Sequence, residues 1–376
     1  MRRAVIALLA TLPTIASAAA EQNAQSAWKR IAPYFSPPAE LANDFGPYRS
    51  PLKFDDGTEV KSAQDWQRRR QEILAYWHKQ MGHWPPVIEK PQVEWLEKVR
   101  PQGENFVRHK VRLGITPKHK TDGYILVPDG EGRRPAVLVV FYDPETAVGL
   151  GDPKKENRDF GYHLAKRGFV VLSIGQPSQL YYPDKESATL QPLSALAYAA
   201  ANCYHVLASM PEVDPRRVGV TGHSYGGKWA MFASCLYDKF ACAAWSDGGV
   251  VFDEKRSNVN YWEPWYLGYE PGKRPVRKPG IPTDANPRTG AYKRLIEEKR
   301  DLHELHALMA PRPFLVSGGS EDPPERWKAL SHAVAVNKLL GQENRVAMTN
   351  RPGHGPTNES NEQMYLFFEH FLKQKR

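Results

Sequence analysis

Between Val218 and Lys228 the chain reads Val-Gly-Val-Thr-Gly-His-Ser-Tyr-Gly-Gly-Lys, and few folds can hold such a segment. The apolar residues up to Thr221 predict a buried strand, and those after Gly226 predict a helix. Gly222 and Gly226 flank Ser224 in the pattern G-x-S-x-G. A serine so placed sits on a strained strand-to-helix turn, where neighbouring side chains must be small. The turn lifts the hydroxyl above the sheet and aims the first helix N–H groups at an oxygen reacting there. Ser224 is therefore the candidate nucleophile, and the segment calls for a sheet with helices packed on it.

The rest of the chain supplies that sheet. An amphipathic helix is predicted over 62–80, with Trp66, Ile73, Leu74 and Trp77 on one stripe, ended by Gly82 and Pro85-Pro86. Alternating runs at 93–99, 106–113 and 123–127 predict antiparallel strands. Residues 135–142 (PAVLVVFY) form a continuous apolar run, as in a strand buried on both faces. Strands at 169–174, 218–221, 240–245, 313–317 and 345–350 then alternate with helices at 162–166, 193–210, after Gly226 and at 325–340, with Gly341 placed as a cap. A last helix is predicted to open at Ser360-Asn361-Glu362-Gln363 as a capping box. Repeated βα units imply an α/β, doubly wound, mostly parallel sheet. Residues 253–300 break the rhythm with Tyr261, Trp262, Trp265, Tyr266 and Tyr269 and a basic loop at 273–278. An irregular, aromatic-rich insertion between sheet strands predicts a cap.

A serine is a weak nucleophile at neutral pH and needs a base, itself oriented by an acid. In this kind of sheet the chain order is Ser, acid, His. His354, in a Gly/Pro-shaped loop after the last strand, is the candidate base. Asp322, after the strand 313–317, is the preferred acid; its neighbour Glu321 reads as a solvated charge. Asp247, after the strand 240–245, is the alternative acid, and it also suits a turn before Gly248. For an oxyanion, one N–H is expected from Tyr225 and a second from Tyr142 or Asp143.

These residues carry a resemblance. The chain, over roughly residues 60–374, resembles the α/β-hydrolases, and among them the carbohydrate esterases that include glucuronoyl and acetylxylan esterases. The helix with Trp66, Arg68, Arg69, Arg70, Ile73 and Leu74, the pattern through Gly227-Lys228, and Ala310-Pro-Arg-Pro313 are all similar. The resemblance implies a Ser-His-acid triad whose acid follows either of two strands; Asp322 and Asp247 fill both positions. It implies that Lys228 touches sugar hydroxyls, while the residues alone read equally as a helix-surface charge. Glucuronoyl esterases usually carry Arg after the nucleophile; here the residue is Tyr225.

Trp245, Trp262 and Trp265 can stack on sugar rings or pack the cap onto the body. His303 and His306 read as a helix-surface pair. No P-loop, dinucleotide fingerprint or Cys/His cluster occurs, so neither cofactor nor metal is expected. Cys203, Cys235 and Cys242 admit one disulfide or three buried thiols. The 376 residues carry 51 Lys+Arg against 42 Asp+Glu, a net +9, but no long basic block, which argues against nucleic acid. Arg2-Arg3, an apolar stretch and small residues at 16–20 predict a signal peptide over 1–20, an extended arm over 21–60 and a catalytic domain over 61–376. The expectation is a secreted or periplasmic monomer, with no membrane span after cleavage, hydrolysing acetyl or uronate esters on a polysaccharide. A prolyl-oligopeptidase-type peptidase and a noncatalytic glycan-binding homologue are the alternatives.

Overall fold

The computed structural model describes residues 28–177, 189–256, 261–273 and 280–374. The signal-peptide segment, the start of the arm and most of the basic loop at 273–278 lie outside them. Nine strands form one sheet in the order β1-β2-β3-β5-β4-β6-β7-β8-β9. They are β1 Val93–Val99, β2 Phe106–Gly114, β3 Lys120–Pro128, β4 Arg134–Val140, β5 Val170–Ile174, β6 Val213–His223, β7 Cys242–Ser246, β8 Phe314–Gly318 and β9 Val346–Asn350. From β1 to β3, and between β3 and β5, pairing is antiparallel; from β5 to β9 it is parallel. This is the α/β-hydrolase fold.

Helices cover both faces, as parallel strands require. The helices α1 Ala63–Met81, α2 Pro144–Ala147, α3 Phe160–Lys166, α4 Pro192–Ser209, α5 Tyr225–Leu236, α6 Gly290–Glu297, α7 His303–Ala307, α8 Trp327–Leu339 and α9 Asn358–Lys373 follow in order. Apolar residues of α1, α4, α5, α7 and α8 form one core with the sheet; those of α3 and α9 form a second on the opposite face. Ser62 caps α1 by accepting from Asp65 N, a bond worth about 1 kcal/mol. The cap of α9 differs from the expectation. Thr357, not Ser360, is the N-cap, and Thr357 and Ser360 exchange the two capping bonds. A serine at the third helical position can return the bond that Glu or Gln normally supplies.

Two further expectations are corrected. His303 and His306 are buried, not a surface pair: His303 Nε2 donates to Arg49 O at 2.6 Å, and the His306 ring lies against those of Trp245 and Phe314. Nearby, Arg300 bridges Glu304 of α7 and Asp55 at 2.8 Å each. The Arg300–Glu304 pair is buried, and through Arg300 the partly exposed Asp55 is tied to the body. All three cysteines are buried free thiols. Among the described residues no helix is long and apolar enough to cross a membrane.

Candidate active site

β6 ends at His223 and α5 begins at Tyr225, leaving Ser224 alone on the turn with φ +59° and ψ −123°. A non-glycine residue held there costs on the order of 1–3 kcal/mol, so surrounding structure must impose it. It does so by close approach. A Cβ on Gly222 would lie 2.4 Å from both Gly226 O and Val140 O, and one on Gly226 would lie 2.3 Å from Val140 O. Ser224 N donates to Ser246 O at 2.8 Å, fastening the turn to the end of β7.

His354 lies in the loop after β9. Its Nε2 is 2.9 Å from Ser224 Oγ, and its Nδ1 is 2.7 Å from Asp247 Oδ2. Asp247 is completely buried, whereas the His354 side chain is 38% exposed, open to an incoming molecule. The other Asp247 oxygen accepts from Glu321 N and Asp322 N, each at 3.0 Å. A Cβ on Gly319 would meet Asp247 Oδ2 at 2.7 Å, so only glycine allows this approach.

Asp322, the acid preferred from chain order, does not hold the histidine. Its two oxygens accept from Gly249 N at 2.9 Å and Val250 N at 2.7 Å. Burial, with Asp247 close by, pushes its carboxyl up to about 6. Order along the chain could not separate the two because β7 and β8 are neighbours.

Three groups at the site, two of them beside the histidine, are not singled out by the sequence. Arg351 spends its guanidinium on Ser317 O (2.9 Å), Gly318 O (3.2 Å), Ser246 Oγ (3.3 Å), His354 O (2.9 Å) and Gly355 O (2.7 Å). It thereby staples the histidine loop to the ends of β7 and β8. His223 lies with its ring 4.7 Å from that of His354 and its Nδ1 3.1 Å from Ser246 Oγ. Burial, then the charges of His354, Arg351 and Arg158, keep it neutral, well below the usual imidazole range. Glu263 is completely buried in the aromatic segment, and its charge acts on Lys228. The signals were faint: an arginine three residues before the histidine, and one acid among aromatics.

Lys228 is buried, not a surface charge. Its ammonium sits 4.0 Å from the Tyr261 ring centroid and 4.9 Å from that of Tyr266. Burial brings it down to about 8, opposed by the charges of Glu321, Asp322, Glu263 and Asp247. Trp245 cannot meet a sugar: it is buried, stacked 4.4 Å from Phe314, with Nε1 donating to Ser234 Oγ. Trp262 is buried as well, beside Tyr292. Trp265 is half-buried, and its carbonyl accepts from Tyr225 Oη at 2.7 Å. Tyr142 is half exposed on the turn after β4, its ring 6.3 Å from that of Tyr225. Asp143 caps α2 through Thr146 N.

Fold and geometry thus define an α/β-hydrolase with a Ser-His-Asp chain of hydrogen bonds at its strand ends. A curated relative, 4-O-methyl-glucuronoyl methylesterase 1 of Wolfiporia cocos, is 24% identical over 344 residues, covering 86% of this chain and 80% of that protein. Among solved structures, a glucuronoyl esterase from Solibacter usitatus matches with a TM-score of 0.68 at 20% identity, covering 86% of this chain and 97% of that one. A putative acetyl xylan esterase from Bacteroides fragilis matches with 0.55 at 15% identity, covering 83% and 80%. No family model matches the chain. The proteins it resembles are carboxylic ester hydrolases named for carbohydrate substrates.

Proposed function

We propose that this protein is a secreted serine esterase that hydrolyses ester substituents on polysaccharide, with Ser224, His354 and Asp247 as its triad. The observation that carries the reading is the unbroken path Ser224 Oγ–His354 Nε2 at 2.9 Å and His354 Nδ1–Asp247 Oδ2 at 2.7 Å. The names of the relatives support the carbohydrate ester, and the pattern of residues 1–20 supports export.

Ser224 Oγ adds to the ester carbonyl while His354 Nε2 takes its proton. Asp247 holds the Nδ1 proton and stabilises the imidazolium. The backbone N–H of Tyr225, with one from the turn at Tyr142, receives the oxyanion. Collapse expels the alcohol, which leaves with the proton from His354, and an acyl-enzyme remains. Water then attacks with His354 again as base, releasing the acid and restoring Ser224. Trp265, half-buried where Trp245 and Trp262 are fully buried, is the tryptophan left to meet the sugar.

Ser224→Ala tests this. Hydrolysis of acetylated xylan, benzyl glucuronate or methylated pectin by the purified protein should fall at least 1,000-fold, with circular dichroism unchanged. Turnover that survives the substitution refutes the triad, and a wild type inert on all three overturns the substrate class.

A further inference from the structure

A groove of about 630 Å³ opens far from Ser224, where β1–β3 meet the segment that leads from α4 into β6. Trp95, Lys98, His109, Asp129, Met210 and Glu212 line it. β4 pairs Arg134 with Val213 and Val140 with Gly222, so at roughly 3.3 Å per β4 residue the groove and Ser224 are on the order of 25 Å apart.

Its chemistry is specific. Trp95 lies 54% exposed on the outermost strand, its ring 4.9 Å from His109 in an edge-on arrangement. Lys98 and Glu212 lie close enough to His109 for both charges to act on it, in opposite senses. Asp129 spends its carboxylate on Arg100, at 2.8 and 2.9 Å. The Lys98 ammonium and the Glu212 carboxylate, by contrast, make no hydrogen bond or ion pair among the described residues. An open indole face therefore stands beside one unspent donor and one unspent acceptor of opposite charge.

We propose that this groove binds a pyranose segment of a polysaccharide, stacked on Trp95 and held by Lys98 and Glu212, as a second site that anchors the polymer while another stretch reaches Ser224. A pyranose ring has an apolar C–H face that suits the indole. Its hydroxyls both donate and accept, so they satisfy an ammonium and a carboxylate together. A polyanion or an anionic membrane would meet Glu212, and the groove has no excess of positive charge to attract it. A peptide strand added to β1 is disfavoured by the bulge between Trp95 and Glu97 and by Glu94, Glu97 and Lys98 along the edge. The polysaccharide, but not the hydrolytic step, is taken from the proposed function.

The test uses the full chain carrying Ser224→Ala, so that binding is read without hydrolysis. Electrophoresis in gels containing glucuronoxylan, pectin or mixed-linkage β-glucan should show retardation by at least one of them. Adding Trp95→Ala should weaken it at least ten-fold, and adding Glu212→Gln several-fold. In the otherwise wild-type chain, Trp95→Ala should leave turnover of a small soluble ester within two-fold while lowering activity on the polymer. No retardation by any of the three polymers, or equal retardation with and without Trp95, overturns the site. If a glycan is retained through Trp95 but the wild type cleaves no ester, the groove stands and the esterase reading falls. If esters are cleaved and Trp95 is irrelevant to retention, the reverse holds.

Discussion

Neighbouring strands β7 and β8 each lead into a loop with a completely buried aspartate, and the two loops cradle each other. Asp247 follows directly on Ser246, at φ +48°, and one of its oxygens accepts two N–H groups from the loop after β8. Asp322 lies four residues beyond Gly318, and both of its oxygens accept N–H groups from the loop after β7. The difference lies in what is left over. Asp247 gathers its two backbone donors on a single oxygen and presents the other to His354; Asp322 has one backbone bond on each. A carboxylate's role at such strand ends is thus set by which oxygen remains after the backbone has been satisfied.

Asp247→Asn gives the comparison its most severe trial. The amide keeps the shape but no longer accepts the Nδ1 proton as an anion does, so kcat should fall on the order of 1,000- to 10,000-fold. A loss below ten-fold would mean that the two loops are interchangeable and that Asp322 can act instead. Arg351→Met comes next, because Arg351 joins both strand ends to the histidine loop. A histidine displaced by about 1 Å costs roughly 100-fold in kcat. Because the fault is one of position, added guanidinium should restore part of the activity. Arg351→Lys should not, since an ammonium lacks the planar fork. Stopped assays with and without guanidinium, at matched ionic strength, read the difference.

Local chemistry made half of this centre legible and left the rest hidden. The turn at Gly222-His-Ser224-Tyr-Gly226 announces itself because only small flanking residues permit it, and His354 announces itself by its loop after the last strand. The choice between Asp247 and Asp322 depends on how two loops share N–H groups across 75 residues of chain, which no periodicity records. Lys228 lies on a helix whose covered side becomes apparent only once Tyr261 and Tyr266 fold over it. Trp245 sits at the end of a doubly buried strand, where alternation no longer says which residue faces solvent. The burial of His303 and His306 is invisible to helix periodicity, because His303 is covered by a residue more than 250 positions earlier and His306 by Trp245 and Phe314 from neighbouring strands. The strands and most helices needed no such long-range information, which is why their places agree with the periodicities to within a few residues.

Asp322→Asn should have the smallest effect on turnover and the most informative effect on stability. The side chain does not touch His354, so kcat should stay within about ten-fold of wild type. Stability should respond to pH instead. The Asp322 carboxyl is pushed up to about 6 in the fold, against an ordinary 3.8, first by burial and then by Asp247. A raised acid favours the folded state fully below its unfolded value and loses that advantage as pH climbs through the folded one. Wild type should therefore lose stability relative to the asparagine variant between about pH 4 and pH 6, by an amount on the order of 3 kcal/mol at most. Thermal melts of both proteins across that window check the sign. A gap in Tm that stays constant with pH would show that Asp322 is already ionised and sharing the site as a second anion. The contrast between a working carboxylate and a structural one would then have to be redrawn.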